Sequence, residues 1–90
     1  MKYRYRLADH WLLKTQGMEE FANGAMQVTV TLRDGRRIPC VLLSDATYIV
    51  AARGYADLPF QLGEIADIVQ TEEDKSPKQR GDWQFWDDWN

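Results

Sequence analysis

The sequence predicts a mainly β fold with one short N-terminal helical segment. We expect a small antiparallel barrel or a strongly bent sheet of four to five strands, followed by a C-terminal aromatic tail. The chain has 90 residues, which is one small domain. Apolar and polar residues alternate in "KYRYRL" and "MQVTVTL", the period of strands with one buried face. Turn sequences such as "RDG" and "SDAT" separate short strands, and such strands joined by tight turns favour a small closed or bent sheet.

The first strand is predicted in "KYRYRL", with tyrosines and leucine on one face and basic residues on the other. Asp9 is then expected to cap a helix that runs through "HWLLKTQGMEEFA". Gly17 weakens a continuous helix. Residues 10–22 therefore fit one helix, two short helices or part of a strand. The dipeptide Asn23–Gly24 ends this segment.

A hairpin follows in "MQVTVTLRDGRRIPCVLL". A two-residue loop at Asp34–Gly35 would place Thr31 opposite Ile38 and mix polar with apolar residues on each face. A three-residue loop, with Gly35 in the left-handed conformation, keeps each face uniform. We therefore expect the loop Arg33–Asp34–Gly35 and the pairs Val30 with Ile38, Val28 with Cys40, and Met26 with Leu42. Pro39 lacks an N–H donor and predicts an edge or a bulge nearby.

The rest of the chain completes the domain and adds a polar segment. "YIVAA" predicts a third strand of the meander, and "EIADIV" predicts a last strand with Ile65 inward or a short helical turn. Leu58 and Phe60 are expected under the sheet. "QTEEDKSPKQRGD" has the composition of a linker. We predict a barrel-like domain at 1–70, a polar linker at 71–82 and an aromatic-acidic tail at 83–90.

The stretch 28–45, "VTVTLRDGRRIPCVLLSD", resembles the first half of the Sm-like fold, one of the small barrels of SH3-like outline. The resemblance lies in an alternating strand, a D-G-R turn, an isoleucine strand and a following aspartate. Cys40 stands where the family has glycine, and Asp45 comes one residue early. The asparagine with which the family contacts a base is absent. The resemblance implies a small barrel and, as an alternative function, RNA binding through the hairpin.

Charge argues against nonspecific nucleic-acid binding as the main function. The net charge is −3, and residues 1–69 hold eight basic and eight acidic side chains, so the excess lies in residues 70–90. Nonspecific affinity for nucleic acid needs a positive surface. Three arginines at the hairpin tip, Arg33, Arg36 and Arg37, are a candidate contact for phosphate or an acidic partner. A solvated tip is the simpler interpretation, and a contact with the protein's own acidic tail is a further alternative.

The sequence contains few candidate residues for a catalytic site or a metal site. His10 is the single histidine, and Ser44–Asp45 has the pattern of a turn. One cysteine, Cys40, excludes an internal disulfide and leaves a zinc site short of ligands. The carboxylates of Glu72, Glu73 and Asp74 are expected to be solvated. We expect no enzyme activity, no cofactor and no metal, in a cytoplasmic protein without a signal peptide or membrane span.

The C-terminal "GDWQFWDDWN" concentrates three of the four tryptophans in the last eight residues. Their spacing of three places them on one side of a helix, whereas aspartates near a helix C-terminus oppose its dipole. The segment therefore needs a surface: its own domain, a partner protein or a second copy of the chain. We expect a non-enzymatic protein-interaction module, an adaptor or an immunity-type stoichiometric inhibitor. Its partner-binding residues would be Trp83, Phe85, Trp86, Asp87, Asp88 and Trp89.

Overall fold

The computed structural model describes residues 4–77, which form five antiparallel strands in a curled half-barrel sheet and two short helices. The strands are β1 (Tyr5–Arg6), β2 (Ala25–Leu32), β3 (Arg37–Ser44), β4 (Tyr48–Ala52) and β5 (Ile65–Val69). The helices are α1 (Asp9–Thr15) and α2 (Glu72–Lys75), and a 3-10 turn spans Leu62–Glu64. The strand order is β1-β4-β3-β2-β5. The predicted mainly β fold class is confirmed.

The hairpin between β2 and β3 has the predicted three-residue loop. The Leu32 N–H donates to the Arg36 carbonyl at 2.8 Å, and the Gly35 N–H donates to the Leu32 carbonyl at 2.9 Å. Gly35 has a φ of 92°, so its left-handed conformation is confirmed. Val30 pairs with Ile38, as expected. The alternation of apolar and polar residues therefore predicts the loop correctly.

Beyond Ile38 the predicted register is wrong. Val28 pairs with Val41 rather than Cys40, and Met26 pairs with Leu43 rather than Leu42. The cause is a bulge at Pro39–Cys40, where Cys40 has a φ of 55° and the pairing shifts by one residue. Because side chains alternate along a strand, one inserted residue moves all later side chains of β3 to the opposite face. The bulge near Pro39 was predicted, but its effect on the register was not.

The sheet therefore buries side chains on two faces. The inner face holds the main core, in which Val28, Val30, Val41, Leu43 and Ile49 are all fully buried. The outer face carries a second apolar cluster, consisting of Leu42, Val50 and Ala51. Register shifts in β3 and β4 allow neighbouring apolar residues to face opposite sides of the sheet.

Helix α1 and the loop before β5 close the inner core. Trp11, Leu12 and Leu58 pack against it, and Phe60 is 7% exposed, so the expected burial of the loop residues is confirmed. Residues 10–22 contain one short helix, ending at Thr15, followed by turns. Asp9 is the first residue of α1 rather than its cap, because Ala8 occupies the N-cap position. The expected Asp9 cap is therefore wrong.

The first part of the predicted linker is helical. Thr71 caps α2 in a capping box with Asp74, and the Asp74 side chain is 2% exposed. Solvation of the three carboxylates is therefore wrong for Asp74, although Glu72 and Glu73 are exposed. Residues 78–82 of the linker and the tail at 83–90 lie outside the described residues. Between residues 4 and 77, no helix is long and apolar enough to cross a bilayer.

Candidate functional site

The three arginines of the hairpin tip do not form one cationic surface. Arg33 donates from its backbone to the Glu64 carbonyl and from its Nε to the Gly63 carbonyl, both at 2.9 Å. These bonds hold the hairpin tip against the 3-10 turn. Arg33 therefore has a structural role in joining two loops.

Arg36 is held by carboxylates. Its Nε lies 2.8 Å from Asp34 Oδ2, and its Nη2 lies 4.0 Å from Glu64 Oε2. The Arg36 backbone N–H also donates to Asp34 Oδ1, and this bond, together with the guanidinium, lowers the pKa of the Asp34 carboxyl below its usual value. The two acidic side chains reduce the positive potential at the tip. An approaching phosphate would have to compete with them.

Arg37 lies apart from the other two arginines, at a groove on the outer face of the sheet. The groove has a volume of about 310 Å³. No carboxylate of residues 4–77 lies within ion-pair distance of the exposed Arg37 guanidinium. The residues that line the groove come from β2, β3 and α2: Thr29, Arg37, Pro39, Cys40, Thr71, Glu73 and Asp74.

A buried carboxylate forms one wall of this outer groove. Asp74 Oδ1 accepts a hydrogen bond from Gln27 Nε2 at 2.9 Å, and Asp74 Oδ2 accepts one from Thr29 Oγ1 at 2.9 Å. The Thr71 N–H donates to the same Oδ2 at 3.0 Å. Because three donors satisfy this carboxylate, it fixes α2 to β2. Its role is structural.

The sequence contains a signal for this network that the sequence analysis missed. Thr71 and Asp74 stand three residues apart, the spacing of a capping box, within the run "TEED". Gln27 and Thr29 are polar residues on alternate positions of β2, and they mark a face with polar partners. The two patterns predict a contact between Asp74 and β2 only if the chain after β5 is known to return over β2.

A second groove, of about 320 Å³, lies between α1 and the 3-10 turn. His10 stands at this groove, with its ring 4.7 Å from the Trp11 ring. Within the described residues His10 has no hydrogen-bond partner, and Ser44 lies at the end of β3 with a buried side chain. The lining residues include both basic and apolar side chains: Arg6, Leu7, Ala8, His10, Trp11, Arg33, Leu62, Gly63 and Ile65. Among residues 4–77, His10 and Ser44 share no hydrogen bond.

Two surface carboxylates bind residues that are distant in sequence. Asp57 Oδ1 accepts hydrogen bonds from the Tyr5 hydroxyl at 2.7 Å and from Arg4 Nη2 at 2.9 Å. The Tyr5 bond lowers the pKa of Asp57, and the same bond raises the pKa of Tyr5. In a separate ion pair, Lys14 Nζ lies 2.6 Å from Asp67 Oδ1. These contacts attach β1 and α1 to later parts of the fold.

The predicted partner-binding residues of the tail, from Trp83 to Trp89, lie outside the described residues. The described chain ends at Pro77, which is buried just after α2. Its final contacts are therefore on the outer side of β2, where Asp74 meets Gln27 and Thr29.

No protein-family model, no curated protein and no solved structure matches this chain.

Proposed function

We propose that the chain is a non-enzymatic protein–protein interaction module, either an adaptor or a stoichiometric inhibitor of immunity type. Its aromatic-acidic C-terminal segment contacts the partner through Trp83, Phe85, Trp86, Asp87, Asp88 and Trp89. The partner is another protein or a second copy of this chain. The compartment that we propose for this interaction is the cytoplasm.

The observation that carries the proposal is that carboxylates of the described residues are hydrogen-bonded or ion-paired within the fold. The buried Asp74 is saturated by three donors, and Asp57, Asp67 and Asp34 hold neighbouring elements together. His10 and Ser44 stand on separate elements without a shared hydrogen bond. In residues 4–77 these carboxylates therefore join elements of the fold. The densest set of aromatic and acidic side chains comes after these residues in the sequence.

The composition of the tail indicates the chemistry of the partner surface that it would bind. Tryptophan is enriched among the anchors of protein interfaces, where it fills desolvated pockets. Aspartates beside such anchors match a basic rim and speed association. The partner surface would combine apolar pockets with lysine or arginine, as a basic active site does.

Affinity capture with matched variants tests the proposal. The full chain is compared with a variant carrying Trp83→Ala, Trp86→Ala and Trp89→Ala, and with Tyr55→Ala, which removes a half-exposed aromatic from the body. A partner that binds directly to the full chain and to the Tyr55 variant, and not to the tail variant, supports the proposal. Equal binding by the tail variant contradicts it.

Nucleic-acid binding through Arg33, Arg36 and Arg37 has less geometric support. Asp34 and Glu64 lie beside Arg36, and Arg37 is on another face. A binder of this kind loses affinity steeply with salt and with an Arg-to-Ala change at all three positions. Failure of the full chain to retain mixed RNA or DNA at low salt removes this alternative.

A further inference from the structure

The outer apolar cluster is buried as deeply as the inner core. Leu42, Val50 and Ala51 are 1%, 0% and 7% exposed. The apolar residues of the described chain that pack on them are Ala25, Cys40, Tyr48 and Phe21. Three of these four belong to the strands themselves. Within residues 4–77, Phe21 is therefore the apolar side chain that reaches the cluster from outside the sheet.

The chain leaves its last described element on this same face. Helix α2 is fixed to the outer side of β2 by the bonds from Asp74 to Gln27 and Thr29. Pro77 follows two residues after the helix and is buried. The described chain therefore ends two residues after α2, the helix whose Glu73 and Asp74 line the outer groove.

The distance to the cluster is short. Neighbouring strands are about 4.8 Å apart, so β4 lies about 10 Å from β2 across β3. Trp83 comes six positions after Pro77, and an extended chain of that length spans up to about 20 Å. Trp83 and Trp86 can thus reach Val50 and Leu42 without passing an edge of the sheet. The groove beside α1 opens on the inner side, and the tail would have to go around an edge to reach it.

We infer that the outer face of the sheet is the docking surface of this chain's own C-terminal segment, residues 82–89. Tryptophans of the segment pack on Leu42, Val50 and Ala51, and its aspartates approach Arg37. Burial of the tryptophans supplies the affinity. The exposed Arg37 guanidinium, which has no ion-pair partner in residues 4–77, supplies charge complementarity to the aspartates. The inference does not depend on the proposed function, because the segment can dock on its own sheet in the absence of any partner. A partner that binds the segment must compete with this face.

Cys40 is a reporter at this site. It is the single cysteine of the chain, it is half-buried, and it lines the outer groove. A docked segment restricts the access of a thiol reagent such as DTNB to Cys40. The experiment measures the rate of labelling in the native full-length protein and in the full-length variant with Trp83→Ala and Trp86→Ala. We expect labelling of the variant to be faster by on the order of ten-fold, because local opening governs access.

Control variants separate docking from general loss of stability. Ile49→Val removes a methylene from the inner face, at a residue that is fully buried, and destabilises the whole fold without altering the outer groove. Leu13→Ala removes a side chain that is 86% exposed. Both controls are expected to label at the rate of the unmodified sequence under native conditions. If the tryptophan variant also labels at that rate, the inference is wrong.

A charge reversal provides a second test for the case in which the double tryptophan variant does not fold. Arg37→Glu lies on the exposed side of β3 and repels the aspartates of the segment, so labelling of Cys40 is expected to accelerate. The same reversal at Arg33, on the other side of the hairpin, is expected to leave the rate unchanged. Equal rates for Arg37→Glu and the unmodified sequence contradict the inference.

Dilution distinguishes a docked segment of the same chain from one donated by a second copy. Protection within one chain does not depend on protein concentration. If protection is lost on about hundred-fold dilution, together with dissociation of a dimer, a second copy occupies the face and the inference is overturned. A partner pull-down that depends on the tail while Cys40 remains freely reactive would refute the docking and leave the proposed function intact.

Discussion

The hydroxyl of Thr29 donates a hydrogen bond of 2.9 Å to the carboxylate of Asp74, which lies 45 positions later in the chain. The bond ties α2, the helix that follows the last strand, to β2, an interior strand of the sheet. Both side chains are almost fully buried, Thr29 at 4% and Asp74 at 2% exposure. Because both groups are buried and hydrogen-bonded, the contact holds α2 in place against β2.

Replacement of Asp74 by alanine is expected to destabilise the fold by about 2–4 kcal/mol, because it leaves the buried Thr29 hydroxyl and the Thr71 N–H without their acceptor. Thermal unfolding followed by circular dichroism measures the loss. The control is Glu72→Ala, which alters a side chain that is 96% exposed on the same helix. That variant should stay within about 0.5 kcal/mol of the unmodified sequence. Equal stability of the two variants would show that the network is unimportant.

Replacement of Gly35 by alanine is expected to cost about 1–2 kcal/mol, because the residue has a φ of 92° that a side chain disfavours. A Cβ at this position meets no atom within 4 Å, so the cost comes from the backbone and not from a clash. Chemical denaturation of the variant measures it.

Gly63→Ala is a matched control for the hairpin glycine. A Cβ at Gly63 also meets no atom within 4 Å, but the residue is outside the left-handed region. Its replacement is expected to be neutral or slightly stabilising. A similar loss at both positions would mean that the conformation of the hairpin turn does not determine the effect.

Replacement of Phe60 by alanine is expected to remove about 3–5 kcal/mol, because its ring is buried in the inner core beneath the loop before β5. Such a loss can unfold a domain of this size. Phe60→Leu has an expected cost of about 1–2 kcal/mol, so this variant should stay folded and its stability can be measured. Leu13→Ala is the control, since that leucine is 86% exposed. Denaturant midpoints rank the three variants. A Phe60 variant as stable as the Leu13 variant would contradict the assigned packing.

The inner half of the fold was predictable because its physics is local. Val28, Val30 and Ile38 alternate with polar residues, and a glycine at the turn matches the one loop length that keeps the faces uniform. Phe60 follows from its size, because a large aromatic residue between strands in a small domain has few places other than the core.

The outer half was not predictable to the same degree. The bulge at Cys40 depends on how the sheet curls, and it changes the face of Leu42. The burial of Asp74 depends on a contact with Thr29, which lies 45 positions earlier in the chain. The capping-box spacing of Thr71 and Asp74 predicts a helix start but not the strand that buries Asp74. Pro39 predicts a bulge but not its effect on the register. Likewise, the composition of the tail predicts that it needs a surface, but it does not identify that surface.

Acid should weaken the fold through the ion pair between Lys14 and Asp67. The hydrogen bond from Lys14, 2.6 Å long, lowers the pKa of Asp67 below its usual value of 3.8. A carboxyl whose pKa is lower in the folded state contributes stability that is fully present above the unfolded value and is lost as the pH falls through the folded value. We therefore expect the melting temperature to fall as the pH decreases from about 5 towards 3.

An Asp67→Asn variant isolates this pair. Both side chains are nearly half-exposed, so solvent limits its contribution to a few tenths of a kcal/mol. The variant should melt slightly lower than the unmodified sequence at neutral pH. The difference should shrink as the pH falls below 3.8 and should vanish once the Asp67 carboxyl is protonated in the folded state. Added salt should reduce the difference at neutral pH through screening. A difference between the two proteins that persists at low pH would show that Asp67 stabilises the fold through packing and not through its charge.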